Sequence, residues 1–367
     1  MHSVVKTLEK NIVHVPLGDP SFNDRHYDVI PLSAELFSYL PKLEQDLRLA
    51  FVDGGSTVIL SAPNFAVGLN RLYYNLFTAN KRVQPRKVPQ RIDFYTICYA
   101  IARSGQIDYK TEIVPLKEEW RKYLPNDSEL EFNSFDRSIM IGKQRAPITS
   151  VLGAARMFAE WRFAGFIAGE ELEKGEVLVR DGSLQTSVTN ESKYSNEAYK
   201  AALEKGVYFS ALSKTSTLFT STGIPLFSAI HTLSENSKCK DCAWYYYPIV
   251  NITSIQDHKA AMFAVKLHKI SEYVFRFEVL KDQVRKGNFQ EIENIISAIA
   301  ENSKDIAFPG YPYGLIDADK LARVTMTEQT SNEFQLRAAI SDKEVWKELA
   351  NFVKSTDAHE ILNKLIK

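Results

Sequence analysis

Leu47, Leu49 and Phe51 alternate along one predicted strand, and the next residue in the same register is Asp53, followed at once by Gly54-Gly55-Ser56. A period of two puts these side chains on one face, so a carboxylate closes an apolar row at a strand end. The pattern recurs at Val177, Val179 and Asp181, followed by the turn residues Gly182-Ser183. On a helix predicted from near Ser150, the residues Gly153, Met157, Glu160, Ala164 and Ile167 form one stripe, and Glu160 is its only charge. On a late helix, Asp319 has Leu315, Ile316 and Ala322 one turn away and is expected to lie further inward than Asp317. Charges on core-facing positions are costly unless a metal or a partner compensates them. Two strand acids and two helical acids therefore point to a two-metal phosphoryl-transfer site, in which divalent cations about 3.5–4 Å apart take carboxylate ligands.

The 367 residues leave room for one large domain or two ordinary ones. Lysine and arginine number 45, as do aspartate and glutamate, so no global field draws the chain onto nucleic acid and any such contact needs a local basic patch. The densest basic run is Lys81, Arg82, Arg86, Lys87 and Arg91; such a run is most often a solvated loop. Three cysteines, no signal peptide and no apolar run of about 18 residues fit a reducing, cytoplasmic compartment and no membrane span. Cys239-Lys240-Asp241-Cys242 lacks a second pair, whereas a structural zinc needs four ligands. Cys98 is read as core, and no phosphate-binding loop of the ATPase type occurs.

Residues 1–46 read as an N-terminal extension with a helix over Ser33 to Leu47. A meander follows, with strands at Arg48–Asp53, Ser56–Leu60, Val67–Thr78 and Ile92–Ala102. After it come a helix to about Lys174, a strand Glu176–Arg180, a helix Asn196–Glu204 and a strand Val207–Leu212. A second β-rich stretch spans Trp244 to Leu280, and Phe289–Glu301, Leu315–Val324 and Ser341–Ile366 are predicted to be helical. This order predicts an α/β fold with a ribonuclease-H-like core, a mixed sheet flanked by helices, over residues 47–330. Residues 331–367 form a C-terminal helical extension.

Four segments resemble the successive motifs of the NurA nucleases, archaeal and bacterial enzymes that partner the hexameric HerA translocase in DNA end resection. They are Phe51-Val52-Asp53-Gly54-Gly55-Ser56, Val179-Arg180-Asp181-Gly182-Ser183-Leu184, Leu212-Ser213-Lys214-Thr215-Ser216 and Gly310-Tyr311-Pro312-Tyr313-Gly314-Leu315-Ile316-Asp317-Ala318-Asp319. The resemblance runs from about residue 48 to 326. It implies Mn²⁺-dependent 5′–3′ exonuclease and single-strand endonuclease activity in double-strand break repair, with Mg²⁺ as an alternative ion. It also implies a homodimer enclosing DNA and a HerA-type ATPase as partner.

Carried over by position, Asp53 and Asp181 match metal ligands, and Glu160 matches a helical glutamate. Lys214 and Tyr311 match polar active-site residues, and Asp319 stands where many members have histidine. Gly55 is an additional glycine in the first motif. Lys214 would hold a scissile phosphate as a point charge, and Tyr311 would orient a water or stack on a base. The alternative is a catalytically idle DNA clamp or a regulator of a motor ATPase; retention of all four acids favours the enzyme.

Overall fold

In the computed structural model the long apolar rows of the first half pair as a meander. The structure describes all residues except 13–14, 254–256, 342–343 and 354–367. Among the described residues, twelve strands form one mixed sheet. In chain order these are β1 (Phe37–Tyr39), β2 (Arg48–Ala62), β3 (Phe65–Thr78), β4 (Lys81–Val83), β5 (Arg91–Arg103), β6 (Gln106–Pro115), β7 (Phe132–Asn133), β8 (Val177–Asp181), β9 (Tyr208–Ser213), β10 (Trp244–Tyr246), β11 (Ala260–Lys266) and β12 (Phe275–Leu280). Their spatial order is β1-β10-β11-β12-β9-β8-β2-β3-β5-β6-β7, with β4 beside β3.

At the centre, β2, β3 and β5 are antiparallel, whereas β8 runs parallel to β2 and β9 parallel to β8. Parallel neighbours need a crossover. Helix α1 (Thr149–Phe166) precedes β8, and α2 (Glu191–Lys205) joins β8 to β9. The five strands β5-β3-β2-β8-β9 thus have the order and directions of a ribonuclease-H-like core, as expected.

Alternation sorts the two faces. Ala50, Val52 and Leu178 pack with α1 and α2 on one side. Leu49, Phe51, Val177 and Val179 pack on the other with α3 (Phe289–Glu301) and α4 (Tyr313–Ala322). Helix α5 (Met326–Ile340) starts at a Thr325–Glu328 capping box and is tied to the sheet by Arg71 Nη2, 2.7 Å from Glu328 Oε1.

Three expectations are corrected. Ser33 to Leu47 contains a short 3₁₀ turn, Ala34–Leu36, and then β1, not a helix. Pro41 is incompatible with a helix interior, and Phe37 and Tyr39 pair with Tyr246 and Trp244 at the sheet edge. The two strands expected over Arg48–Leu60 are one strand: Gly54 pairs with Leu72 and Gly55 with Arg71. Asp53 is therefore inside a strand, not at its end. The glycines serve close approach, since a Cβ on Gly55 would lie 2.2 Å from the Ala322 carbonyl oxygen of α4. Finally, Asp317 is the more buried of the two α4 acids, with its side chain 12 % exposed against 36 % for Asp319. Of the helix expected over Ser341–Ile366, residues 344–353 are helical, and most of the remainder lies outside the described residues.

Candidate metal centre

Asp53 follows Leu49 and Phe51 on the face of β2 that α4 covers. Asp181 is the last residue of β8, one strand away. Helix α4 brings the third acid, and its close seating depends on Gly314, where a Cβ would meet the Phe51 ring at 2.0 Å. Asn75 anchors that helix by donating to the Gly314 carbonyl at 2.8 Å. Asn75 also donates to Asp317, which in addition pairs with Arg82, so Asp317 is turned away from the other acids. The result is a cluster of Asp53, Asp181 and Asp319, each offering an oxygen within 4.8 Å of the others. Among the described residues it is the one such grouping of His, Cys, Asp and Glu side chains.

Lys214, just beyond β9, places Nζ 2.7 Å from Asp181 and 2.9 Å from Asp319. Burial works against its charge, but the two carboxylates outweigh burial and hold its proton on. Asp53 has no comparable partner. Burial, followed by the charges of Glu160 and Asp181, pushes its carboxyl up to about 8. Tyr311 is buried beside the cluster, its phenol has no hydrogen-bond partner among the described residues, and burial together with the three aspartates holds its proton on.

Glu160 is not part of the trio. It lies on α1, across the sheet, with Arg156 Nη1 at 2.7 Å and Arg180 Nε at 2.9 Å. The approach is close because Gly54 has no side chain: a Cβ there would lie 2.9 Å from Glu160 Oε2. Arg180 also sits over the Trp161 ring, 4.2 Å from its centroid. The alternation rule that picked out Asp181 applies equally to Arg180, an arginine on the opposite face of an apolar strand, and could have found it. The same holds for Arg276 and Glu278, which share one face of the buried strand β12.

The basic run is largely paired: Arg82 with Asp317, Lys87 with Glu173 and Arg91 with Asp93. Among the described residues no helix is long and apolar enough to cross a membrane. His258 is engaged by Tyr27 and Glu278.

The donor set suits a hard divalent cation. It is all oxygen, it gathers three acids around one point, an ammonium stands between two of them, and the third takes up a proton for want of positive charge. The mixed sheet with helices on both faces defines a class, the ribonuclease-H-like α/β proteins. Within it the chain belongs to the NurA family, whose domain profile matches residues 47–324. Solved structures similar in fold include the NurA nuclease from Sulfolobus solfataricus, 11% identical over 94% of this chain and 95% of that one, with a TM-score of 0.49. Another NurA structure is 9% identical over 94% and 95% of the two chains, with a TM-score of 0.44. Endonuclease V of Ciona intestinalis, solved with a 24mer DNA containing an inosine, is 12% identical over 76% and 86%, with a TM-score of 0.35. No curated protein matches the sequence.

Proposed function

We propose that this NurA-family chain is a divalent-metal-dependent DNA nuclease, with Mn²⁺ the preferred ion and Mg²⁺ able to replace it. The observation that carries this reading is the convergence of Asp53, Asp181 and Asp319 at a single point on a NurA domain. These three residues would hold the ion. When bound, it supplies a Lewis acid to a phosphoryl oxygen and acidifies a water.

The protein's own groups do the remainder. Lys214 neutralises Asp181 and Asp319 in the metal-free protein and, once a cation takes over that role, is free to pair with a DNA phosphate. Among the described residues the Tyr311 O–H is a donor without an acceptor, so it orients a water or a phosphate oxygen. Glu160 acts through others: it fixes Arg156 and Arg180 and keeps negative charge close to Asp53.

The finer reading follows the family: 5′–3′ exonuclease and single-strand endonuclease activity, work at double-strand breaks with a HerA-type ring translocase, a homodimer around DNA and a cytoplasmic site of action. Residues 1–46 or the C-terminal segment Ser341 to Ile366, both outside the matched residues 47–324, would provide docking surface for the motor. The test is incubation of end-labelled linear single- and double-stranded DNA with purified protein in Mn²⁺, in Mg²⁺ and in chelator. Cleavage in Mn²⁺ that chelator abolishes and Asp181→Asn removes is expected. Binding without cleavage under every condition would favour a DNA clamp.

A further inference from the structure

The antiparallel pair β11–β12 brings two lysines together at its open end. Ala260 is in register with Leu280, and the next pair outward is Lys259 and Lys281, joined by a hydrogen bond from the Lys281 N–H to the Lys259 carbonyl at 2.9 Å. Like charges directly opposed across two strands repel. The structure fixes both side chains without neutralising either. Lys259 Nζ lies 2.7 Å from Asn196 Oδ1, and Lys281 Nζ donates to Asn251 Oδ1 at 2.9 Å and to the Ile252 carbonyl. These neutral acceptors orient an ammonium and leave its charge in place. Arg285, one turn further along the short helix Lys281–Lys286, is exposed and adds a third cation. Among the described residues none of the three forms a salt bridge. Burial and then the Arg285 charge lower the Lys281 ammonium from its ordinary value, against the pull of Asp28 and Asp282.

Beside these groups is a cavity of about 640 Å³, a volume within the range of about 300–1,000 Å³ typical of small-ligand sites. Helix α2 contributes Lys200 and Glu204, which pair with each other at 3.8 Å. That leaves three cations in the lining against one further carboxylate, Asp282. The remaining wall is largely apolar, with Leu203, Ile252 and Leu280. Tyr199 and His258 also line it, but the Tyr199 hydroxyl donates to the Leu184 carbonyl at 3.0 Å, and both ring nitrogens of His258 are engaged by Tyr27 and Glu278. They offer ring surface, so a polar ligand must find its partners in the cations. The cavity is remote from the carboxylate cluster. Ser213, next to Lys214, is in register with Arg276 near one end of β12, whereas Leu280 is at the other end. The length of β12 separates them by about 17 Å at about 3.3 Å per residue.

We propose that this cavity binds a small phosphorylated organic molecule, a phosphate monoester held by Lys259, Lys281 and Arg285 with its organic body on Tyr199, Leu203 and Ile252. Two fixed ammonium groups and a guanidinium fork complement the charge and the oxygens of a phosphate dianion. Inorganic phosphate would answer the cations but leave the apolar wall uncovered. A nucleic-acid backbone fits less well, because it calls for cations strung along the strand and these are grouped at one place. The site goes beyond the nuclease reading and does not depend on it.

The experiment is a calorimetric titration of the full chain in chelator with phenyl phosphate, inorganic phosphate and phenol. Phenyl phosphate should bind saturably with a Kd of about 1 mM or tighter. Inorganic phosphate should bind about tenfold more weakly, and phenol not at all. Arg285→Ala and Lys281→Gln should each weaken phenyl phosphate by about 10- to 150-fold, the weight of a hydrogen bond to a charged group. Arg285→Ala should also melt like the wild type, because the exposed guanidinium leaves no ion pair behind, and Asp181→Asn should bind phenyl phosphate as the wild type does. No saturable binding, or affinity unchanged in both cation variants, would overturn the proposal. So would loss of binding in Asp181→Asn, which places the ligand at the carboxylate cluster, or displacement by a short single-stranded oligonucleotide, which assigns the cations to a nucleic-acid backbone. Equal affinity for inorganic and phenyl phosphate would overturn the organic body.

Discussion

Asp53 and Glu278 are both buried acids on the central sheet, and their surroundings drive them in opposite directions. Burial disfavours the charge of each. At Glu278 burial is overcome: Arg276 Nε and His258 Nε2 each lie 2.8 Å from Oε1, and the Leu184 N–H donates to Oε2 at 2.7 Å. Its carboxyl is consequently held far below the usual carboxylate range. At Asp53 the neighbours are acids, and the same burial pushes the carboxyl up to about 8. A compensated charge holds structure, here the loop that follows Asp181. An uncompensated charge requires a cation that the protein itself does not provide.

The sharpest way to break this contrast is to neutralise each side. Asp181→Asn should lower the cleavage rate by about a thousandfold or more, since the metal contributes several kcal/mol of transition-state stabilisation. The same change should alter thermal stability little, because Lys214 keeps Asp319 as its partner and the loss of the Asp181 pair is offset by the loss of a charge that repels Asp53. Initial rates and a thermal melt in chelator measure both effects. Glu278→Gln should instead destabilise the protein, costing about 3–5 kcal/mol in a denaturant titration, because it leaves Arg276 buried without its counter-charge. If Glu278→Gln proves neutral, the compensated side of the comparison fails.

Gly55→Ala addresses how the third acid is brought in. Its Cβ would collide with the Ala322 carbonyl, so α4 must move and carry Asp319 with it. An overpacking cost of about 1–3 kcal/mol is expected, together with weaker Mn²⁺ binding. A variant with native stability and native Mn²⁺ affinity would show that the close contact is not required.

The effect spread most gradually over conditions is a slope. Folded Asp53 keeps its proton up to about pH 8, whereas the unfolded chain releases it near the ordinary value of 3.8. In metal-free protein this contribution to stability is complete below about pH 4 and is lost progressively as pH rises towards 8. Glu278 has the opposite sign: its contribution is complete above its ordinary 4.5 and is lost only in acid. Thermal melts in chelator between pH 5 and 8 should therefore fall with pH for the wild type and fall less for Asp53→Asn. Identical slopes would remove Asp53 as their source.

The positions of Asp53 and Asp181 were legible because period-two alternation is local, and a carboxylate in an apolar row is visible without a structure. The element order was legible for the same reason. What failed depended on distant partners. Gly54-Gly55 looks like a turn until α4 is seen lying on it, and residues 37–39 become a strand only because Trp244 and Tyr246 are there to pair with. The periodicity of α4 ranked Asp319 as more inward than Asp317, but Arg82 and Asn75, both from the meander, draw Asp317 into the protein. Glu160 was correctly expected to be buried on α1, yet its two arginine partners come from α1 and β8, and their meeting is a property of the packed sheet.

The central claim is that Asp53, Asp181 and Asp319 form a cation site in which Lys214 serves two of the acids and Asp53 is left without a cation. Calorimetric titration of metal-free protein with Mn²⁺ at pH 7.5 tests it most directly, with wild type, Asp181→Asn and Glu278→Gln side by side. Saturable binding by the wild type, retained by folded Glu278→Gln and lost in Asp181→Asn, is the result this account expects. Equal Mn²⁺ binding by wild type and Asp181→Asn, or none by the wild type, would contradict it.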